Sequence, residues 1–355
     1  MATQIVDNKA KKVKALALLS GGLDSTLAVK LLLDQGIEVE AVNFVTPFCL
    51  CRRGGCGAYE VAKSLGIPLK TINLGKDYLK VVRKPKFGYG RAINPCIDCR
   101  ILMFKKAKEY AEKIGATFIV TGEVLDERPM SQHKRALRII ETEAGLNGKI
   151  LRPLSARLLP LTEPEVKGLV DRNRLLNIRG RSRKRQFELA KKLGLKAYAC
   201  PSGGCLLTYK EFAAKLKDLF EHKKRISLKD IQLLKVGRHF RFGENKIIVG
   251  RNEGENMVLL KLKTKKDFFF EAQGCGSPIT LLQGPKTTQA ILKAAELTAY
   301  YSDQKTGIVT IKYGREKLAK QIAVSIPPKE EIEKLRIKWT KPEYNSVMCK
   351  MRNYG

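Results

Sequence analysis

No apolar run in the 355 residues approaches the roughly 18 that a membrane-crossing helix needs, so a spanning chain is not expected. The first twelve residues lack an apolar stretch ahead of a cleavage site, which argues against secretion. Nine cysteines in so long a chain are too sparse for a secreted disulfide scaffold, and reducing cytoplasm is the expected setting. No segment repeats at a solenoid period. Negative charge is in short supply: 35 Asp+Glu face 68 Lys+Arg, a formal charge of +33. An apolar fraction of 44% excludes general disorder, and the length suggests about two domains.

Such an excess favours a polyanionic partner, nucleic acid above others. A membrane surface is the weaker alternative, because no basic amphipathic helix ends in Trp or Phe. The excess peaks over residues 172–196, where ten Lys/Arg stand against one acid, Glu188. Within that stretch Arg181, Arg183, Lys184 and Arg185 are too close together to share one helix face. They are expected to grip phosphates; a solvated helix start is the plainer alternative.

The N-terminal half alternates strand and helix signals. Val13–Leu19, Glu38–Phe44, Pro68–Asn73 and Thr117–Thr121 read as strands, and Ser25–Leu33, Ala58–Leu65 and Ile101–Ile114 as helices. This pattern predicts an α/β fold, a parallel sheet with helices on both faces, whose ligands bind beyond the carboxyl ends of the strands. A helical, Lys-rich stretch from Leu206 to Lys229 follows. After it come short strands over 246–249, 267–272, 279–282 and 308–313, with a helix at Thr288–Tyr301, which predicts a smaller α+β module. The expected divisions are a flexible N-terminus over 1–12, a first domain over 13–218, a helical connector over 219–234, a second module over 235–340 and a basic tail over 341–355.

The sharpest motif is Ser20-Gly21-Gly22-Leu23-Asp24-Ser25, between a buried strand and a helix. Two glycines let backbone N–H groups approach an anion, the helix start adds partial positive charge, and Ser20 and Ser25 supply hydroxyls. The Gly-Lys-Ser/Thr ending of a Walker loop is absent. A second motif, Asn94-Pro95-Cys96-Ile97-Asp98-Cys99, stands just before the helix expected from Ile101. Lowered thiol pKa values are expected there, with capacity to chelate a metal or cluster. Cys205 follows Gly203-Gly204 about a hundred residues on, with Cys200 nearby as a reserve ligand. Zinc, an iron–sulfur cluster and a persulfide-forming pair all suit such thiols. Cys49, Cys51 and Cys56 form a further group, open between a structural, a zinc-like and a catalytic role. Cys275 and Cys349 are isolated and read as structural.

The Ser20–Ser25 loop resembles the pyrophosphatase loop of the ATP-pyrophosphatase superfamily, whose members adenylate a substrate and release pyrophosphate. With Asn94–Cys99, Thr121-Gly122-Glu123 and Gly204-Cys205, residues 13 to about 215 resemble the tRNA thiouridine synthetases. That resemblance implies ATP and Mg²⁺ as cofactors, with Ser20, Gly21, Gly22, Asp24, Ser25, Asn43, Phe44 and Gly122 binding them. Asp24 would orient the loop or hold the metal. It implies Cys99 and Cys205 as the catalytic thiols. Members with two cysteines in the turn carry a [4Fe-4S] cluster on three, here Cys96, Cys99 and Cys205. No THUMP-type domain precedes the loop and no rhodanese-like carrier follows, so sulfur is expected from an external donor. Val249-Gly250-Arg251-Asn252, Gly276-Ser277-Pro278 and Tyr300-Tyr301-Ser302 resemble the NFACT-R module, an RNA-handling unit, over about 235–340.

The function implied is transfer of sulfur to a tRNA uridine after ATP adenylates its carbonyl, with 4-thiouridine at position 8 the expected product. The alternatives are 2-thiouridine and an amidotransferase-like ligase acting on a small molecule. A non-catalytic RNA-binding factor is a further rival, and a homodimer is open. Glu123, Arg128, Ser131 and Gln132, beyond the fourth strand, are expected either to line the nucleotide or base pocket or to form an ordinary loop.

Overall fold

The structure, a computed structural model, describes residues 13–49, 57–195, 198 and 204–340. The segments 1–12 and 341–355, with Cys51, Cys56, Cys200 and Cys349, lie outside the described residues. The chain divides into two compact units between Cys205 and Leu206.

The first unit runs β1 (Lys14–Leu18), α1 (Leu23–Leu33), β2 (Glu38–Val45), α2 (Ala58–Ser64), β3 (Leu69–Asn73) and α3 (Gly75–Arg83). Then follow α4 (Cys96–Ile114), β4 (Phe118–Thr121), α5 (Lys134–Ala144), β5 (Ile150–Leu151), the single turn α6 (Glu163–Val166) and α7 (Lys184–Lys192). Its sheet is parallel throughout, in the order β3-β2-β1-β4-β5. Side chains alternate across it. Ala15, Ala17, Val39, Ala41 and Val120 pack against α1 and α2, while Leu16, Leu18, Val42 and Ile119 pack against α4 and α5. A strand buried on both faces is a continuous apolar run, which is how β1 reads in the sequence. The expected parallel sheet with helices on both faces is what forms.

The second unit runs α8 (Lys210–His222), α9 (Leu228–Leu234), β6 (Arg238–Phe242), β7 (Asn245–Val249), α10 (Glu253–Leu262), β8 (Phe268–Ala272), β9 (Thr280–Gln283), α11 (Thr288–Tyr300), β10 (Ile308–Gly314), β11 (Lys320–Ser325) and α12 (Lys329–Leu335). Its six strands are antiparallel, in the order β11-β10-β8-β9-β7-β6. Ala290, Ala294 and Leu297 of α11 cover one face; Leu233 of α9 and Leu259 of α10 cover the other. The division expected at 218 lies within α8. That helix is tied to the second unit because Asp218 accepts from Arg241 at 2.7 Å and Lys246 at 3.1 Å, and Lys215 donates to the Gly237 carbonyl. Residues 219–234, expected as a connector, carry the end of α8 and all of α9.

Candidate active site

The loop between β1 and α1 is built for close approach. Gly21 takes φ +79°, which a β-carbon disfavours. Gly22 is the N-cap of α1 and offers no capping side chain, leaving the first-turn N–H groups to an outside acceptor. The Ser25 hydroxyl donates to the Gly22 carbonyl at 2.9 Å and lies 3.1 Å from the Ser20 hydroxyl, which holds the loop in a tight bow. Asn43, buried at the end of β2, donates its amide to the Leu19 carbonyl at 2.7 Å and so anchors the loop from beneath. Phe44 packs against the core on the α4 face. Gly122, at the end of β4, has a reason the motif alone does not reveal. A Cβ there would stand 2.4 Å from the Ser25 nitrogen, so only glycine lets this strand end press against the start of α1.

Asp24 lies in the first turn of α1. Burial, then the neighbouring Glu127 carboxylate, push its carboxyl up to about 6, against the pull of Arg183, the Gln186 side chain and Arg128. Its Oδ1 is buried with no hydrogen-bond partner among the described residues. An orphaned carboxylate oxygen beside a phosphate-type loop fits a hard divalent cation such as Mg²⁺, whose ligands are oxygens.

The four basic residues of 181–185 do not act as one group. The Arg183 guanidinium turns inward, 2.5 Å from Glu127 and 3.6 Å from Asp24. Arg185 donates to the Asn177 side chain at 2.8 Å and its carbonyl at 3.3 Å. Arg181 and Lys184 are exposed. Of the residues after β4, Glu123 is buried against Arg152 at 3.0 Å and Arg100 at 3.5 Å. The Gln132 side chain accepts from the Arg128 N–H at 3.0 Å, shaping the turn, and Ser131 is buried beside it.

The thiols lie at the same carboxyl edge. Helix α4 begins at Cys96 rather than near Ile101, so the Cys-x-x-Cys forms its first turn. Pro95 is its N-cap, and the Asp98 carboxylate accepts from the Lys86 and Phe87 N–H groups, pinning the preceding loop. The lowered thiol pKa expected there is corrected. Both thiols keep some solvent contact, yet the protein packed around them desolvates them. Burial, then the neighbouring Cys99, pushes Cys96 up to about 11; burial also raises Cys99. Desolvation outweighs the helix terminus. The buried Tyr78 hydroxyl donates to Cys99 and is also acted on electrostatically by Cys205 and Cys96. Cys49 is brought in too: its backbone pairs with that of Cys205 in an antiparallel bridge.

Among the described residues, no group of three His, Cys, Asp or Glu is close enough to hold a single metal ion. In the chemistry of their donors, Cys96 and Cys99 in one helical turn, with Cys205 acting on the same phenol, offer the thiolates that iron–sulfur clusters take. Arg128 joins the two halves of the site, acting electrostatically on both Asp24 and Cys96. Tyr78, Arg100, Glu127 and Arg152 escaped the sequence reading. Only Tyr78 left a signal, on the buried Tyr78, Leu79, Val82 stripe of α3.

Residues 10–157 match the family model described as thiamine biosynthesis protein (ThiI), and residues 237–336 the one described as NFACT protein RNA binding domain. The chain joins a ThiI-type segment to an NFACT-type one. The ThiI-type segment contains the loop, Gly122, Cys96 and Cys99; Arg183 and Cys205 lie beyond it. The chain is similar to the tRNA-specific 2-thiouridylase MnmA of Coxiella burnetii (strain CbuG_Q212), 35% identical over 131 residues, 34% of this chain and 35% of that protein. It thus spans about a third of the length of the first curated relatives it matches. Among solved structures it resembles a 4-thiouridine synthetase–RNA complex with bound ATP, at 23% identity and TM-score 0.36, covering 63% of this chain and 52% of that one. It also resembles the U34-tRNA thiolase NcsA from Methanococcus maripaludis with its [4Fe-4S] cluster, at 17% identity and TM-score 0.29, covering 63% and 70%. No helix among the described residues is long and apolar enough to cross a membrane.

Proposed function

We propose that the chain is an ATP-dependent tRNA sulfurtransferase that adenylates a uridine carbonyl and replaces its oxygen with sulfur. One observation carries this reading: the phosphate loop and the thiols share the carboxyl edge of one parallel sheet, with Arg128 acting on both. Adenylation at the oxygen and sulfur attack at the carbon concern one carbonyl, so the two chemistries must be neighbours.

The loop N–H groups and the Ser20 and Ser25 hydroxyls would hold the β- and γ-phosphates of ATP, while Asp24 takes Mg²⁺ on its orphaned oxygen. The uracil oxygen attacks the α-phosphorus and pyrophosphate departs, its growing charge offset by these donors. Sulfur then attacks the activated carbon, and AMP leaves. Cys96, Cys99 and Cys205 would hold a [4Fe-4S] cluster, which supplies an open iron for sulfide from an external donor. Tyr78 keeps Cys99 oriented by its hydrogen bond. Without a cluster, Cys205 would take the outer sulfur of an external persulfide, whose thiol leaves. The terminal sulfur would attack the activated carbon as AMP departs, and Cys99 would then displace the thiolated base to form a Cys99–Cys205 disulfide that an external thiol reduces. Arg181, Lys184 and Arg185 would steady tRNA phosphates, and the NFACT-type segment supports RNA as the substrate.

The motif resemblance to the uridine-4-sulfur synthetases favours 4-thiouridine at tRNA position 8; the 2-thiouridylase relatives favour the 2-thio product. Nucleoside mass spectrometry of tRNA from a deletion strain separates them by which thiolated base disappears. Unchanged thiolation in that strain, with no release of AMP from ATP in the presence of tRNA and sulfide, rejects the reading.

A further inference from the structure

Three connections of the second unit meet at one end of its sheet. Phe268 opens β8 and pairs with Leu282 near the end of β9. Gly314, ending β10, pairs with Phe269, and Lys320, opening β11, pairs with Tyr313. The loop before β8, the β9–α11 connection and the β10–β11 turn therefore lie together. They bring Lys263, Lys265, Lys266, Lys286, Arg315 and Lys317 to this end, against Asp267 and Glu316, with Glu244 of the β6–β7 turn beside the β9–α11 connection.

The buried Asp267 carboxylate is already engaged, accepting from the Thr264 N–H at 2.8 Å and the Gln283 amide at 3.1 Å. None of the six cations is ion-paired among the described residues. They are nonetheless held in place. Lys286 donates to the Leu282 and Gly284 carbonyls at 2.9 and 2.8 Å. Lys263 donates to the Arg315 carbonyl at 2.7 Å and lies 5.2 Å from the Phe269 ring centre. The Arg315 guanidinium and the Lys286 ammonium lie 5.4 and 5.6 Å from the centre of one ring, Phe268, which packs 5.9 Å from Tyr313. Carbonyls and ring faces orient cations without neutralising them. Burial pulls the Lys286 pKa down; the nearby Asp267 carboxylate opposes that fall and Arg315 adds to it. Elsewhere in the unit the contrast is plain, since Arg241 and Lys246 share the Asp218 carboxylate.

We propose that this end of the second sheet is a phosphodiester-binding surface for the RNA partner, with Lys286 and Arg315 on neighbouring phosphates and Lys266 and Lys317 extending the track. This deepens the reading above and rests on RNA being the substrate. Several fixed cations in one loop cluster repel one another, and a polyanion relieves that repulsion while releasing its own counterions.

The test is fluorescence anisotropy of the full chain with labelled unmodified tRNA across a range of KCl concentrations. Lys286→Gln/Arg315→Gln should weaken binding about tenfold and flatten the plot of log affinity against log salt by about 1.4 to 1.8, or about 0.7 to 0.9 per lost phosphate contact. Lys229→Gln/Lys334→Gln removes the same charge from exposed sites on α9 and α12 and should leave that slope unchanged. The charge-conserving Lys286→Arg/Arg315→Lys should bind nearly as the parent, which separates lost charge from misfolding. An unchanged slope in the Gln pair, or an equal loss in the control pair, overturns the proposal. Loss of heparin binding with tRNA affinity retained would reassign the surface to a different polyanion. If the parent binds tRNA with the steep slope yet never thiolates it, the catalytic reading falls and this surface stands.

Discussion

The carboxyl edge of the first sheet and the basic end of the second sheet treat charge in opposite ways. In the first, Arg152 is buried between Glu123 and Glu141, and Arg183 lies between Glu127 and Asp24. In the second, Lys286 rests on carbonyls and, with Arg315, on the Phe268 ring, and neither forms an ion pair among the described residues, though Asp267 acts on Lys286. Paired buried charges fix geometry before substrate arrives, because removing either partner strands the other in a poorly solvated place. Unpaired surface cations fix little, and they remain available to a mobile polyanion. A net charge of +33 therefore does not mean that every Arg faces RNA.

The strongest way to break this contrast is to remove one buried partner. Arg152→Met leaves the Glu123 carboxylate buried with only Arg100, 3.5 Å away. It should cost about 3–5 kcal/mol in urea unfolding of the first unit. Arg315→Ala in the second unit should stay within about 0.5 kcal/mol, as surface substitutions do. Equal losses would remove the distinction. Gly122→Ala comes next. The added methyl must displace the start of α1, costing about 1–3 kcal/mol. Because what moves is the phosphate loop, nucleotide affinity measured by calorimetry should fall further than stability does. A variant that binds ATP normally would show the loop tolerates the shift.

These sites differ in how far a sequence can reveal them. The Ser20–Ser25 loop is local: strand, glycines and helix start are contiguous, so the motif and its setting read together. The helix α4 was legible from Ile101 onward, where Ile101, Phe104, Ala107 and Ala111 form its buried stripe; in the first turn only Ile97 continues that stripe, between the two thiols. Helix α7 buries only Gln186 and Ala190, which is too little periodicity to announce a helix. Two-residue β5 is below any pattern. The inward turn of Arg183 depends on Glu127, 56 residues away. The raised thiol pKa values depend on desolvation by the assembled fold, which no local helix-terminus argument contains.

Asp24 gives a pH test of the same preorganisation. Its carboxyl rises in the folded chain from the usual 3.8 to about 6, so folding disfavours the ionised form. The folded state then binds more protons than the unfolded one between those values, and stability falls as pH rises from about 4 to 6. The penalty is complete above that window, at roughly 3 kcal/mol for a shift of this size, and absent below it. Asp24→Asn should therefore stabilise the unliganded chain at pH 7.5 by up to that amount and give no advantage at pH 4. The same variant should lose metal-dependent ATP binding. A stability gain independent of pH would mean that Asp24 is not the titrating group.

The smallest effect concerns the thiols, and it separates them within one site. The Cys49–Cys205 bridge sets two backbones at antiparallel pairing distance, about 4.5–5.5 Å between Cα atoms, inside the range a disulfide spans. Cys275, in the second unit, has no such cysteine opposite it among the described residues. Brief treatment of the metal-free chain with a thiol oxidant should therefore yield a Cys49–Cys205 crosslink, read as one linked peptide pair by non-reducing mass spectrometry, with Cys275 still alkylatable. Cys49→Ser should abolish that peptide pair while leaving unfolding within about 0.5 kcal/mol of the parent, since a partly exposed thiol exchanged for a hydroxyl changes little packing. Preferential Cys99–Cys205 linkage would show instead that the sulfurs acting on Tyr78 approach one another more readily than the bridge allows, and Cys49 would return to a purely structural role.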